Sequence, residues 1–475
     1  MRVKTKRTRH HQTRRADIPA FFRAHGFHML LALFVIVLVF LGGSSRYDRV
    51  VQIPVRLVAI ATIAWACFRR LPNDLPSLRA PALLLGGAIM LVFVQLVPLP
   101  PAIWTALPGR EDFAAAATLA GIAQPWRPLA IVPDMAVNAL LALTVPLAVL
   151  WGLAGLDSRA REWVYPTILA VIAFALSVET IQLITGGQLV RAIYATGFDL
   201  QAAGIFANRN HQALLLAIGI PLATGWQVIR RSGNRGTIAR WGVGLALVLL
   251  VMVLLATGSR AGLALGAVGL AGAAAIFLSW WGARASASKR KSTLLVFGAL
   301  AIAVAAAIVA VASGRGEAVE RLVGNDPSAD MRARAAPVVV ALAVDFLPFG
   351  SGFGSFDAVF RRVEPTDLLD TIYFNQAHND LLQIVLEGGL PACLLLLGAI
   401  AWLGMATIRL WANRTTHVAV VRGRAASLAL GLMALASAVD YPLRTPTMMA
   451  IAAALVFIVA TALDHLRLAR GERLA

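Results

Sequence analysis

Charge is what this sequence has least of: Asp, Glu, Lys and Arg make up 14% of its 475 residues, against 59% hydrophobic residues. So small a polar share cannot cover the surface of a soluble domain. It excludes an ordinary globular enzyme and predicts an all-α integral membrane protein. Cysteine is nearly absent. The two present, Cys67 and Cys393, both fall in apolar runs, where core packing is expected rather than a disulfide or a metal pair. No Asp-x-Asp motif and no compact His/Cys set with ligand spacing occurs, so the spacing offers no metal site. No internal repeat is visible, and inverted repeats are a common mark of transporters. Acidic residues number 24 against 43 basic ones, a formal charge of +19. In a soluble chain that balance points to nucleic acid. Here about 28 of the Lys/Arg and about 6 of the Asp/Glu fall on one side of the expected spans, the positive-inside signal of a membrane protein.

What is present is apolar length. Runs of near-spanning length occupy 27–43, 51–68, 81–99, 136–155, 163–184, 210–229, 241–257, 261–282, 293–312, 381–408, 425–440 and 446–464, which predicts about twelve transmembrane helices with both termini cytoplasmic. Arg69-Arg70, Arg159/Arg161, Arg230-Arg231, Lys289-Arg290-Lys291, Arg409/Arg414/Arg422/Arg424 and Arg467/Arg470 mark the cytoplasmic ends. The chain divides into a basic tail (1–26), helices 1–9 (27–312), a large outer loop (313–377), helices 10–12 (378–464) and a second tail (465–475). The first helix is expected to stay uncleaved. The run 241–282 is interrupted only by Thr257-Gly258-Ser259-Arg260.

Two outer segments are long. Residues 100–135 carry Trp104, suited to an interface, and Pro125-Trp126-Arg127-Pro128. Residues 313–377 far exceed an ordinary connection, and loops of that length are usually functional. They contain Asp330-Met331-Arg332-Ala333-Arg334, an amphipathic stretch 337–346, and the glycine-rich run Pro348 to Phe356. No strand flanks those glycines, so they suit a tight turn or a close helix approach better than a dinucleotide.

Polar groups collect at the outer boundary: Asn208-Arg209-Asn210-His211, Ser259-Arg260, Arg332 and Arg334, Asn375 to Gln383 with His378, and Asp440 to Arg444. Such groups at the edge of hydrocarbon are expensive unless satisfied or used. Arginine rich and lysine poor, the set suits an anionic ligand held by forked hydrogen bonds, and His378 is the natural acid/base candidate. Plainer roles are open for each. Arg260 can cap a helix end and snorkel, and Arg332 and Arg334 can pair with Asp326 or Asp330. His211, Glu179 and Glu387 can be interfacial, and Asp440 can pair with Arg444. Arg110, Arg127, Arg361 and Arg362 are expected in solvent.

Taken in order, Gly204 to Asn210, Thr257 to Gly262, Pro348 to Gly354, and His378-Asn379 with Glu387-Gly388-Gly389-Leu390 resemble the bacterial O-antigen ligase/polymerase superfamily over roughly 200–445. Pro391-Ala392 depart from its pattern. The resemblance implies a C-type membrane glycosyltransferase, metal-independent and inverting, with no cofactor, in the bacterial inner membrane with its active face periplasmic. It implies a polyprenyl-diphosphate-linked glycan as donor and a glycan or lipid A–core as acceptor, with a chain-length regulator as a candidate partner. It implies Arg260 and Arg332 on the diphosphate, with Arg334 and Arg191 as further candidates. His378 becomes the base or acceptor-orienting group, and Asn208, Asn210, Asn379, Glu387, Asp440 and Arg444 support it. Asp440 to Arg444 look like polymerase-type members. The rival class is a transporter of lipid-linked glycan, which would place its polar groups nearer the midplane.

Overall fold

Inside hydrocarbon a backbone amide finds no water, so each apolar run must close its hydrogen bonds within itself as a helix. The computed structural model describes residues 18–46, 50–68, 75–185, 203–230, 236–282, 327–369 and 374–471. In chain order these form α1 (Ile18–Leu41), α2 (Gln52–Cys67), α3 (Arg79–Gln95), β1 (Pro98–Leu99), α4 (Pro101–Trp104), α5 (Glu111–Leu119), β2 (Arg127–Pro128), α6 (Pro133–Ala142), α7 (Thr144–Ala154), α8 (Ser158–Arg161) and α9 (Val164–Thr185). There follow α10 (Arg209–Arg230), α11 (Gly236–Ala256), α12 (Arg260–Gly282), α13 (Pro327–Asp345), α14 (Phe356–Phe360), α15 (Asp380–Ala412), α16 (Val418–Ser437) and α17 (Pro446–Ala469). Among the described residues, eight helical stretches are long and apolar enough to cross a membrane, and three shorter apolar helices lie at His25–Leu41, Gln52–Cys67 and Gly244–Ala256. The expected ninth span, 293–312, lies outside the described residues, as do loop residues 313–326 and 370–373 and Arg191.

The centre of the bundle is α10. Leu214, Leu215, Leu216, Ala217 and Ile218 on successive faces are all buried, as expected of a helix that is apolar all round. It packs on α11, α12 and α16, and α16 packs on α17. One short ribbon interrupts the helices: β1 pairs antiparallel with β2, Leu99 opposite Arg127.

Three sequence expectations change here. The span expected at 425–440 is α16, which starts at Val418, so Arg422 and Arg424 lie inside a helix rather than in a link. Arg424 is buried and turns back to cap the end of α15, donating to the carbonyl oxygens of Leu410 (3.0 Å) and Asn413; that replaces its intrahelical partners. Arg332 and Arg334 lie on the helix α13, not in open loop. Cys67 is exposed rather than in the core, and both cysteines are free.

The glycine-rich run closes a break in α15. Gly389 has φ +60° and ψ −154°, outside the helical region, so the helix kinks and loses hydrogen bonds there. The run replaces them: Ser351 N donates to Leu386 O (2.9 Å), Gly352 N to Glu387 O (2.9 Å), and Leu390 N to Pro348 O (2.9 Å). Gln95, at the end of α3, ties the junction by donating to Glu387 O and accepting from Phe353 N, each at 3.0 Å. A Cβ on Gly350 would stand 2.6 Å from Glu387 O, and one on Gly389 would lie 2.6 Å from the Phe349 carbonyl carbon. The glycines thus permit close helix approach, as the sequence suggests. Gly389→Ala combines that clash with a backbone conformation worth about 1–3 kcal/mol of strain for any other residue. We expect this variant to lose folded protein in detergent, measured by thermal unfolding, while Gly404→Ala, with open space at its Cβ, does not.

Candidate functional site

Several polar residues at the end of the bundle bearing His378 are placed by helix termini. Asn208 caps α10, its Oδ1 accepting from Asn210 N at 2.8 Å. Gly258, at φ +63°, ends α11, and Ser259 starts α12, its Oγ accepting from Gly262 N at 3.0 Å. Asn379 caps α15 through Leu382 N at 3.0 Å. Side-chain oxygens on orphan amides are what such starts require. The caps also fix the direction in which the neighbouring side chains leave the helices.

Those neighbours meet at Asp440. Its Oδ2 accepts from Asn210 Nδ2 at 2.8 Å and Asn208 Nδ2 at 3.4 Å, and its Oδ1 from its neighbour Tyr441 N at 2.9 Å. His378 Nδ1 stands 3.4 Å from Oδ1, and His211 Nε2 3.9 Å away. Ser259 Oγ donates to Asn210 Oδ1 at 2.8 Å, which joins the start of α12, and so Arg260, to the network. Burial pushes the Asp440 carboxyl up, but the His211 and His378 contacts outweigh it and hold the group well below the usual range. Asp440 is therefore an anion here.

His378 is the one non-glycine residue with positive φ among the described residues, at +50°. Only context holds such a residue there, and strained residues gather at functional sites. The Tyr441 and Phe374 rings flank the imidazole edge-on, at 4.8 and 5.8 Å. Burial lowers its pKa, and the Arg332 charge adds to that against the opposing pull of Asp440.

A second cluster adjoins. Arg444 Nε donates to Asp380 Oδ1 at 2.8 Å, and its Nη2 lies 3.7 Å from Glu387 Oε2. Glu387 is fully buried, and its Oε1 accepts from Gln383 Nε2 at 2.9 Å. Arg444 thus pairs with Asp380 and Glu387, not with Asp440 four residues away, because the turn Pro442–Arg444 points the two side chains to different helices.

The structure brings together Asn208, Asn210, His378, Asp440 and, through Ser259, the position of Arg260. Arg332 is near enough for its charge to bear on His378 and Tyr441. Arg334 is not part of this group: it pairs with Asp367 on the exposed side of α13. Other plain expectations also change. Arg110 is buried rather than solvated, donating to Leu129 O (2.8 Å) and Gly350 O (3.1 Å) over the Phe346 ring, with burial lowering its pKa to about 10. Trp104 is buried too, its indole N–H bonded to Pro128 O at 2.8 Å. Glu179 is buried and accepts from Gln212 at 2.9 Å. Arg127 is part-buried on Phe113 O, while Arg361 and Arg362 are exposed as expected, paired with Asp357 and Asp112. His211 and Asp380 fall in the polar stretches singled out by sequence, but sequence reading assigns neither a role in the site. The signal for His211 is its place three residues past a capping Asn; for Asp380 it is a carboxylate in the first turn of a span.

No curated protein matches this chain. Residues 245–397 match the family model described as O-antigen ligase, a stretch holding Arg260, Arg332, Arg334, His378, Asn379 and Glu387 but not Asn208, Asn210, Asp440 or Arg444. Over that stretch the chain is similar to the O-antigen ligase family.

Proposed function

We propose that the chain transfers glycan from a polyprenyl-diphosphate donor to a sugar hydroxyl on the periplasmic face of the bacterial inner membrane, in surface polysaccharide synthesis. The single observation that carries this reading is the buried His378–Asp440 contact, set beside Arg332 and, through Ser259 and Asn210, beside the start of α12. A proton on Nδ1 facing Asp440 leaves Nε2 as the basic nitrogen, the arrangement a general base needs. The acceptor oxygen attacks the anomeric carbon, and the bond from that carbon to the diphosphate oxygen breaks. His378 takes the hydroxyl proton, and Arg260 and Arg332 hold the charge that develops on the leaving group, as a metal does in other transferases. Attack opposite the leaving group inverts the anomeric centre. Asn208 and Asn210 orient Asp440; Asn379, Glu387 and Arg444 hold the start of α15. Arg334 and Arg191 are reserve diphosphate contacts in this scheme, Arg334 the weaker because Asp367 occupies it.

Between the two reactions of the family we favour polymerisation, on the stretch Asp440 to Arg444. The test is the glycan profile of the native host lacking this protein and complemented with variants. Loss of the long-chain ladder with one repeat still on its acceptor identifies a polymerase; long lipid-linked glycan beside bare acceptor identifies a ligase. Arg332→Lys keeps the charge but loses the fork, so we expect it to deplete the ladder by about tenfold or more, whereas Arg334→Lys leaves it intact. Full complementation by Arg332→Lys rules out forked diphosphate binding at that position.

A further inference from the structure

The segment between α3 and α6 is tied to a membrane boundary at both ends. The stretch Pro76–Gln95, 20 residues and about 30 Å long at 1.5 Å per residue, matches the ~30 Å of a bilayer's hydrocarbon. The next span starts at Pro133. The returning strand stays at the height of that boundary. Ala130 N donates to the carbonyl oxygen of Gln95 at 2.9 Å. The ribbon sets Arg127 opposite Leu99, four residues past the end of α3, and Trp126 adjoins it.

Between these ties the chain exposes apolar side chains and no charge. From Phe113 to Trp126 there is no Asp, Glu, Lys or Arg. Leu119 is 88% exposed, Trp126 65% and Ile122 60%. The tip is a built turn. Gly121, at φ +64°, ends α5; Ile122 N donates to Ala117 O at 3.1 Å, and Gln124 Nε2 to Ala114 O at 2.7 Å. The inner face of α5 is taken up by packing, with Ala117 buried and Phe113 against the apolar cluster of α13 and α14. Three large apolar side chains held out of the fold beside a span's end call for an apolar partner. A tryptophan at that height marks the membrane–water interface.

We propose that residues 118–126 form a membrane-surface wedge, with Leu119, Ile122 and Trp126 set into the headgroup–acyl boundary of the leaflet at the end of the bundle bearing His378. The contact is hydrophobic and does not read lipid charge. The segment's two arginines are withdrawn, Arg110 into the core and Arg127 onto Phe113 O, while Glu111 and Asp112 carry the opposite sign. The wedge is also coupled to the break in α15. Arg110 donates to Gly350 O at 3.1 Å, and Ile131 N to Ser351 O at 3.0 Å. The segment that enters the leaflet therefore also holds the glycine run that closes the break at Gly389. It fixes the height of that run, and of the start of α15, against the bilayer surface. None of this depends on the function proposed above.

The test is nitroxide labelling of the full-length protein in lipid nanodiscs, on a Cys67→Ser, Cys393→Ser background with one added cysteine at a time. The tip positions are exposed, so a label there leaves the fold intact. Labels on Leu119→Cys, Ile122→Cys and Trp126→Cys relax faster with dissolved oxygen, which concentrates among acyl chains, than with a water-soluble nickel chelate. A label on Glu111→Cys shows the reverse order. Both orders are the same in phosphatidylcholine and in phosphatidylglycerol discs. Faster relaxation by nickel at the three tip positions, or an oxygen preference confined to phosphatidylglycerol, overturns the proposal. Spin–spin broadening at the tip that vanishes on dilution with unlabelled protein makes a second copy the occupant and overturns it as well.

Discussion

His378→Ala protein, inserted and folded as wild type, is expected to transfer glycan about 10²–10⁴-fold more slowly, the range that a positioned general base supplies. A sugar hydroxyl is a weak nucleophile, and among the described residues His378 is the histidine that both touches the Asp440 anion and keeps part of its side chain accessible, at 17% against 2% for His211. Alanine at φ +50° inherits the backbone strain, so a loss of fold could imitate a loss of chemistry. His378→Asn separates the two. Asparagine tolerates the left-handed region but cannot serve as base, so it restores stability and not activity. The pH profile carries the same logic. With its pKa below the ordinary 6.5, His378 stays neutral and basic to lower pH than a free histidine does. The acid limb of kcat/KM therefore falls below pH 6.5, and Arg332→Gln, removing a charge that depresses the pKa, moves that limb upward.

Arg444→Leu is expected to destabilise the folded protein by about 3–5 kcal/mol, the usual result of stripping one partner from a buried ion pair. Asp380 and Glu387 are buried, and Asp380 Oδ2 and Glu387 Oε2 have no hydrogen-bond partner of their own. Without the guanidinium two carboxylates face each other's charge in a low dielectric. Thermal unfolding in detergent measures the loss. Adding Asp380→Asn and Glu387→Gln to Arg444→Leu removes the unpaired charges and recovers most of it. A single Arg444→Leu variant as stable as wild type would show that the triad contributes nothing to the fold.

The eight long apolar helices were legible because hydrocarbon leaves the backbone no alternative to the helix, so apolar length reports them. The start of α16 was not legible: Arg422 and Arg424 look like a cytoplasmic link, and only the carbonyls at the end of α15 explain why a helix carries them. The site was legible as a collection of polar residues at helix edges, and His378, Asn210 and Asp440 do meet. Their pairing was not. Sequence spacing joins Asp440 to Arg444, whereas the fold delivers Asn210 and His378 from helices 230 and 62 positions away. Arg110 defeats sequence reading for a similar reason, since the carbonyl of Gly350 that it satisfies lies 240 residues on. The glycine run suggested close approach, but not that it would stitch the break at Gly389.

The most direct test of the account is a reconstitution of the purified protein in vesicles with a polyprenyl-diphosphate-linked glycan and its acceptor. A new glycosidic bond, release of polyprenyl diphosphate in equal amount, and loss of both with His378→Asn are expected. Movement of intact lipid-linked glycan between leaflets, with no bond formed and no diphosphate released, would contradict it and make the protein a transporter.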